Sequence, residues 1–236
     1  MAVSESSSSA SLPAPPRRRL GWIPWAAVAV VAAVAVVLLV LTSTHHSPAA
    51  AKSGEVVSGA TPPPVSWAAG KRLAPNFRLV DQQGRPVSVT GFRGRPVIVT
   101  FIDPLCRNFC PLEARQLSTL VNRLPARQRP AIVAVSVNVY GNARANLLQD
   151  VSRWRLVPEW RWAVGDPRQL AMVWKRYQIG VQVATKRIAG VTVHEVAHTE
   201  AAYLIDDRGY ERALFLWPFR AGDVQAELAK LHSSAS

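Results

Sequence analysis

Hydrophobic positions along this chain fall into three patterns. The first is a charge-free run, WAAVAVVAAVAVVLLVL, over residues 25–41. With Ile23, Pro24 and Thr42 it reaches the length a helix needs to cross about 30 Å of hydrocarbon. The second is a pair of short unbroken apolar stretches, VIVTFI at 97–102 and AIVAVSV at 131–137. Runs of that length without polar alternation predict strands buried on both faces. The third is a mixed pattern between and after them. It predicts helices ending near residue 124, over 143–154, from Asp166-Pro167 to about 177, and over 222–231. Proline after the aspartate suits a first helical turn, where its missing N–H costs nothing. A short strand is expected over 160–164. Residues 77–80 and 86–89 flank Asp81-Gln82-Gln83-Gly84 as a hairpin. Strands over 191–196 and 201–205 lead to a turn at Asp206-Asp207-Arg208-Gly209, across which a strand over 210–216 pairs back. Strands alternating with helices, closed by a hairpin and a helix, predict an α/β sandwich around a mixed sheet.

The first pattern sets the expected organisation. Trp22 and Trp25 stand at one end of the apolar run, where indole rings favour the headgroup level, and Arg17, Arg18 and Arg19 precede it. The far flank has no basic cluster, so the N-terminus is expected on the cytoplasmic side. The chain then divides into a disordered cytoplasmic segment (1–21), a transmembrane anchor (22–43), a Pro/Ala-rich linker (44–70) and an extracytoplasmic domain (71–236). A single-pass protein of a bacterial cell membrane is the expected setting. A cleaved signal peptide is the rival reading. Its apolar region is normally shorter, although Ala49-Ala50-Ala51 leaves a cleavage site open. Net charge is +13 over 236 residues. The arginines are scattered, with no block beyond Arg17–Arg19, which argues against nucleic acid as a partner and suits a surface near anionic lipid.

Cys106 and Cys110 are the only cysteines, too few for a disulfide scaffold. They follow a predicted buried strand and open a predicted helix. Unpaired N–H groups and the positive dipole end stabilise a thiolate there. Residues four apart on a helix share a face, about 5–6 Å apart. Two such sulfurs can converge on a soft cation or, with backbone adjustment, close a disulfide. As a staple that disulfide would remove little entropy, because its loop is so short. His194-Glu195-Val196-Ala197-His198 matches the HExxH zinc-protease pattern. That motif works only on a helix, and the surrounding residues predict strand and loop.

The segments FIDPLCRNFCPLEARQL and AHTEAAYLIDDRGYER resemble the Sco/SenC family. Its members are membrane-anchored, thioredoxin-like proteins implicated in building the copper centre of cytochrome c oxidase. The resemblance spans about residues 72–232. It implies a thioredoxin-like fold with an N-terminal β-hairpin extension, and copper, as Cu(I) or Cu(II), held by Cys106, Cys110 and His198. It also implies that Cys106 and Cys110 are redox-active thiols or a reversible disulfide. The implied partner is a copper-receiving oxidase subunit or another client, and the implied role is a metallochaperone more than an enzyme. Thiolates favour Cu(I), and imidazole suits either copper state, in agreement. The sequence departs from the family at Asn138 and Ala197, where the pattern often carries acidic residues able to orient ligands.

Other functions fit parts of the pattern. A metal-free thiol–disulfide oxidoreductase usually has two residues between its cysteines and an aromatic before the first; here there are three, and Leu105 precedes. Such enzymes also place a cis-proline before a late strand, and no proline lies between Pro167 and Pro218. A peroxidase is suggested only at the level of fold, and the missing acidic residues also allow an interaction module with a vestigial site. Around the site, Phe109 and Tyr140 are candidate flanking residues and His194 a candidate auxiliary ligand. Trp154, Trp160, Trp162 and Trp174 are expected in the core or at its rim.

Overall fold

The computed structural model describes residues 61–233. The expected cytoplasmic segment and anchor, and most of the linker, lie outside the described residues. Among the described residues no helix is long and apolar enough to cross a membrane.

The strands are β1 (Val65–Ser66), β2 (Leu79–Val80), β3 (Pro86–Val87), β4 (Val97–Ile102), β5 (Ala131–Ser136), β6 (Trp160–Ala163), β7 (Val181–Ile188), β8 (Val191–His198), β9 (Ala201–Ile205) and β10 (Glu211–Leu216). The helices are α1 (Phe109–Arg123), α2 (Arg144–Arg153), α3 (Pro167–Arg176) and α4 (Ala221–Ser233). Six strands form one sheet in the order β1-β10-β9-β4-β5-β6. β4, β5 and β6 run parallel, while β9 and β10 are antiparallel to their neighbours. β2 and β3 form the expected hairpin.

The unbroken apolar runs occupy the centre of this sheet. Every residue of β4 and β5 is buried. Successive side chains point to opposite faces, so Ile98 and Ile102 join one core layer and Val97, Val99 and Phe101 the other. The first layer packs α1 and α4 with Trp154, Trp160 and Trp162, all buried; the second packs α3 with Tyr177 and Tyr203. Trp174 stands at the rim and donates its indole N–H to the Ser136 carbonyl oxygen at 3.0 Å. At the start of α3, Asp166 accepts from the N–H groups of Arg168 and Gln169, and the Gln169 side chain accepts from the Asp166 N–H. This reciprocal capping box, with Pro167 in the first turn, fixes the helix where the sequence predicts it.

Two features differ from expectation. Val65 and Ser66 pair with Leu214 and Ala213, and the Trp67 N–H donates to the Arg212 carbonyl oxygen at 2.8 Å. The last residues of the stretch whose composition reads as linker therefore extend the sheet edge. The second is β7, in a stretch where the pattern gives no strand. It pairs with β8 through every residue from Val181 to Ile188, outside the main sheet. Its side chains are almost all exposed, so no apolar run or alternation marks it. The turn is Ala189-Gly190, both with positive φ, as a type I′ hairpin turn requires. Alanine replaces the usual Asn or Asp there and hides the turn signal.

Candidate metal centre

The site forms where β4 runs out. Asp103 follows the strand and folds the chain back: its carboxylate accepts from the Leu105 N–H at 2.7 Å and its carbonyl from the Cys106 N–H at 3.1 Å. Arg107 holds this loop from outside, donating to the carbonyl oxygens of Pro104 (2.8 Å) and Cys106 (3.0 Å). The same guanidinium lies 3.8 Å from Asp150, a buried carboxylate of α2.

Only Cys110 is helical; Cys106 precedes the first residue of α1. The sulfurs therefore approach because the loop curls over the helix N-terminus, and the shared helix face expected from their spacing is not what joins them. Cys110 is buried in the core layer, Cys106 is half-buried against it, and both are free thiols. Their protons are unequally held. The neighbouring Cys110 thiol, with the N–H groups of Cys110, Asn108 and Phe109, brings the Cys106 thiol down to about 5 against the cost of burial. Cys110, buried next to that group, is pushed far up. The pair is a thiolate next to a thiol.

His198 ends β8 and reaches the same point. Its Nε2 is 3.9 Å from the Cys110 Sγ, and its Nδ1 is 3.1 Å from the Thr199 carbonyl oxygen. A carbonyl only accepts, so Nδ1 carries a proton, and in the neutral ring this leaves the Nε2 lone pair toward the Cys110 sulfur. The base of the β7–β8 hairpin is tied at this point: the Thr199 N–H donates to the Gly180 carbonyl oxygen, and Gly180 N–H to the Thr199 hydroxyl. The structure thus brings His198 to Cys110, with Cys106 on the loop that precedes the helix.

It also adds carboxylates that the sequence reading missed. The donor atoms of Cys110, His198 and Glu200 all lie within 4.8 Å of one another. Burial raises the Glu200 carboxyl, opposed by His198 and reinforced by Cys106. Asp103 is likewise raised by burial, against the Leu105 N–H, Asn138 and the charges of His198 and Arg107. Beneath Cys110, Glu113 is fully buried beside the Thr100 hydroxyl, and burial pushes its carboxyl up to about 8. Asn138, where the sequence departs from the acidic pattern of the family, is buried and accepts from the Tyr140 N–H at 3.1 Å. Ala197 alternates with His198 along β8 and is exposed. Asp103 and Glu200 were detectable in the sequence only by their closeness to Cys106 and His198.

HExxH lies on a strand, which removes the helical geometry that a zinc protease needs. His194 shares a strand face with His198 but is engaged elsewhere. Its ring stacks on Tyr140 with centroids 3.6 Å apart and planes within 3°, and its Nδ1 is 3.1 Å from the Thr185 hydroxyl. Tyr140 and His194 instead line, with Cys106 and Asn108, an open groove of about 570 Å³. Phe109 is 56% exposed at the helix start, beside the cysteines.

A soft cation suits this donor set: one thiolate, one thiol whose proton a metal would displace, one oriented imidazole and one nearby carboxylate. The architecture and site define a thioredoxin-like α/β domain with a cysteine pair at the end of its central strand and a histidine beside the second cysteine. The model of the SCO1/SenC family matches residues 66–233, and the chain belongs to that family. Among solved structures, ScoI of Bradyrhizobium japonicum with copper bound is 21% identical, with a TM-score of 0.59, over 67% of this chain and 99% of that one. Yeast Sco1 with copper bound is 18% identical, with a TM-score of 0.60, over 69% and 90%. BsSco, a member of the Sco family of cytochrome c oxidase assembly proteins, is 17% identical, with a TM-score of 0.53, over 72% and 96%. At these identities the likeness is one of fold. No curated protein matches the chain.

Proposed function

We propose that this protein binds copper through Cys106, Cys110 and His198 and passes it to a client during assembly of the cytochrome c oxidase copper centre. The observation that carries the reading is the His198 Nε2 lone pair facing the Cys110 sulfur at 3.9 Å, next to the Cys106 thiolate. Bound copper would supply an exchangeable ion that thiolates hold as Cu(I) and imidazole tolerates in either state. The chain's residues do the rest. Asp103 and Arg107 set the loop, the α1 N–H groups hold the Cys106 charge, and Thr199 fixes the His198 tautomer. Family membership and the copper-bound ScoI and Sco1 structures support the same reading. Residues 22–43 are proposed to anchor the domain on the outer face of the membrane, as the charge-free run and the preceding arginines suggest.

Anaerobic Cu(I) titration of the reduced chain tests this. One copper per chain is expected, with binding sharply weakened by Cys106→Ala, Cys110→Ala or His198→Ala. Undiminished binding after loss of either cysteine would end the proposal.

A second reading is favoured by the low Cys106 pKa: reduction of client cysteines. The Cys106 thiolate attacks a client disulfide, forming a mixed disulfide and expelling one client thiolate, which takes the Cys110 proton. Cys110 then displaces the second client sulfur. The client gains two electrons as a dithiol, and this chain is left as a disulfide. Stoichiometric reduction of a model disulfide by the metal-free chain, lost with Cys106→Ala, is the expected result.

A further inference from the structure

The mutually close donor set in this protein is Cys110, His198 and Glu200, and it does not contain Cys106. Glu200 sits on the short link between β8 and β9. Its backbone is fixed, because its carbonyl accepts from the Trp217 N–H at 3.1 Å. Its side chain is half-buried, and among the described residues the carboxylate has no hydrogen bond or ion pair with a protein group. A carboxylate taken partly out of water normally finds a cationic or N–H partner. This one instead faces a thiol and an imidazole lone pair.

We propose that Glu200 is a fourth donor of this centre, an oxygen ligand that favours divalent over monovalent metal. Carboxylate oxygen adds little for a soft monovalent ion that two sulfurs already satisfy. For a borderline divalent ion it supplies a negative oxygen donor and completes four-coordination. The centre then distinguishes the two charge states of its cargo by a residue that only one of them uses. This rests on the proposed metal centre and extends it by one ligand.

Parallel anaerobic titrations of the reduced full-length chain decide it, with Cu(I) and with Co(II) as a redox-inert divalent probe whose visible bands report coordination. Glu200→Ala is expected to weaken Co(II) about tenfold or more and to change its d–d bands, the size of effect a supporting metal-site group carries. Cu(I) affinity should stay within about threefold, because the sulfurs dominate it. Equal Co(II) affinity and unchanged bands in Glu200→Ala overturn the inference, as does equal loss of both metals. A wild-type chain that takes Cu(I) but no Co(II) also overturns it and leaves the copper proposal standing. Glu200-dependent Co(II) binding without Cu(I) binding does the reverse.

Discussion

Replacing Glu113 by Gln keeps the shape of a fully buried side chain and removes its titration. Thr100 has one hydroxyl proton and two neighbouring acceptors, a Glu113 oxygen and the Ala201 carbonyl oxygen at 3.2 Å. A proton on Glu113 resolves this: Glu113 donates to Thr100, and Thr100 donates to Ala201. The carboxyl is accordingly held neutral, at about 8 against an ordinary 4.5, by burial and the charge of Glu200, against the Thr100 contact. Because the folded state binds this proton more tightly, its stabilising contribution is complete below about pH 4.5. It is lost as pH rises and is gone above about pH 8. At about 1.4 kcal/mol per unit where the proton difference is full, the loss between pH 5 and 7.5 is about 3 kcal/mol. Gln donates to Thr100 as the neutral acid does, without this slope. Urea unfolding of the reduced wild type and Glu113→Gln at pH 5, 6, 7 and 8 should show the variant gaining on the wild type by about 3 kcal/mol across that interval. Parallel stability curves over the whole range would refute the buried neutral carboxyl.

Further outcomes follow from the loop and the sheet edge. Arg107→Ala leaves Asp150 buried without its cation and frees two loop carbonyls; it should cost about 1–3 kcal/mol in urea unfolding. Copper affinity in that variant should fall as well. At pH 6.5 iodoacetamide should modify Cys106 well before Cys110, by peptide mass mapping, since only Cys106 is both half-exposed and a thiolate. Arg72 pairs with the buried Glu211 and lies 4.6 Å over the Trp67 ring. Arg72→Ala should cost about 2 kcal/mol, below the range for a wholly buried pair because Arg72 is 40% exposed, and should speed hydrogen exchange at Trp67.

The central strands and the helices beside them were legible because burial on both faces leaves unbroken apolar runs such as VIVTFI, and because Asp166-Pro167 marks a helix start. β7 was not, because a strand exposed along its length and closed by Ala189-Gly190 carries neither an apolar period nor a common turn pair. Cys106 and Cys110 were found by their isolation in the sequence. What joins them is a loop held by Asp103 and Arg107, and residue spacing does not encode that. His198 was reached through a resemblance, since only tertiary structure brings the end of β8 to the start of α1. Glu200 and Glu113 escaped notice because a lone carboxylate in a sequence looks solvated, and only burial distinguishes these two.

Copper K-edge X-ray absorption on the Cu(I)-loaded chain tests the metal centre most directly. The account predicts two sulfur scatterers and one imidazole, with a sulfur lost in Cys110→Ala and the imidazole lost in His198→Ala. A shell of nitrogen and oxygen alone, or a spectrum unmoved by either substitution, would contradict it.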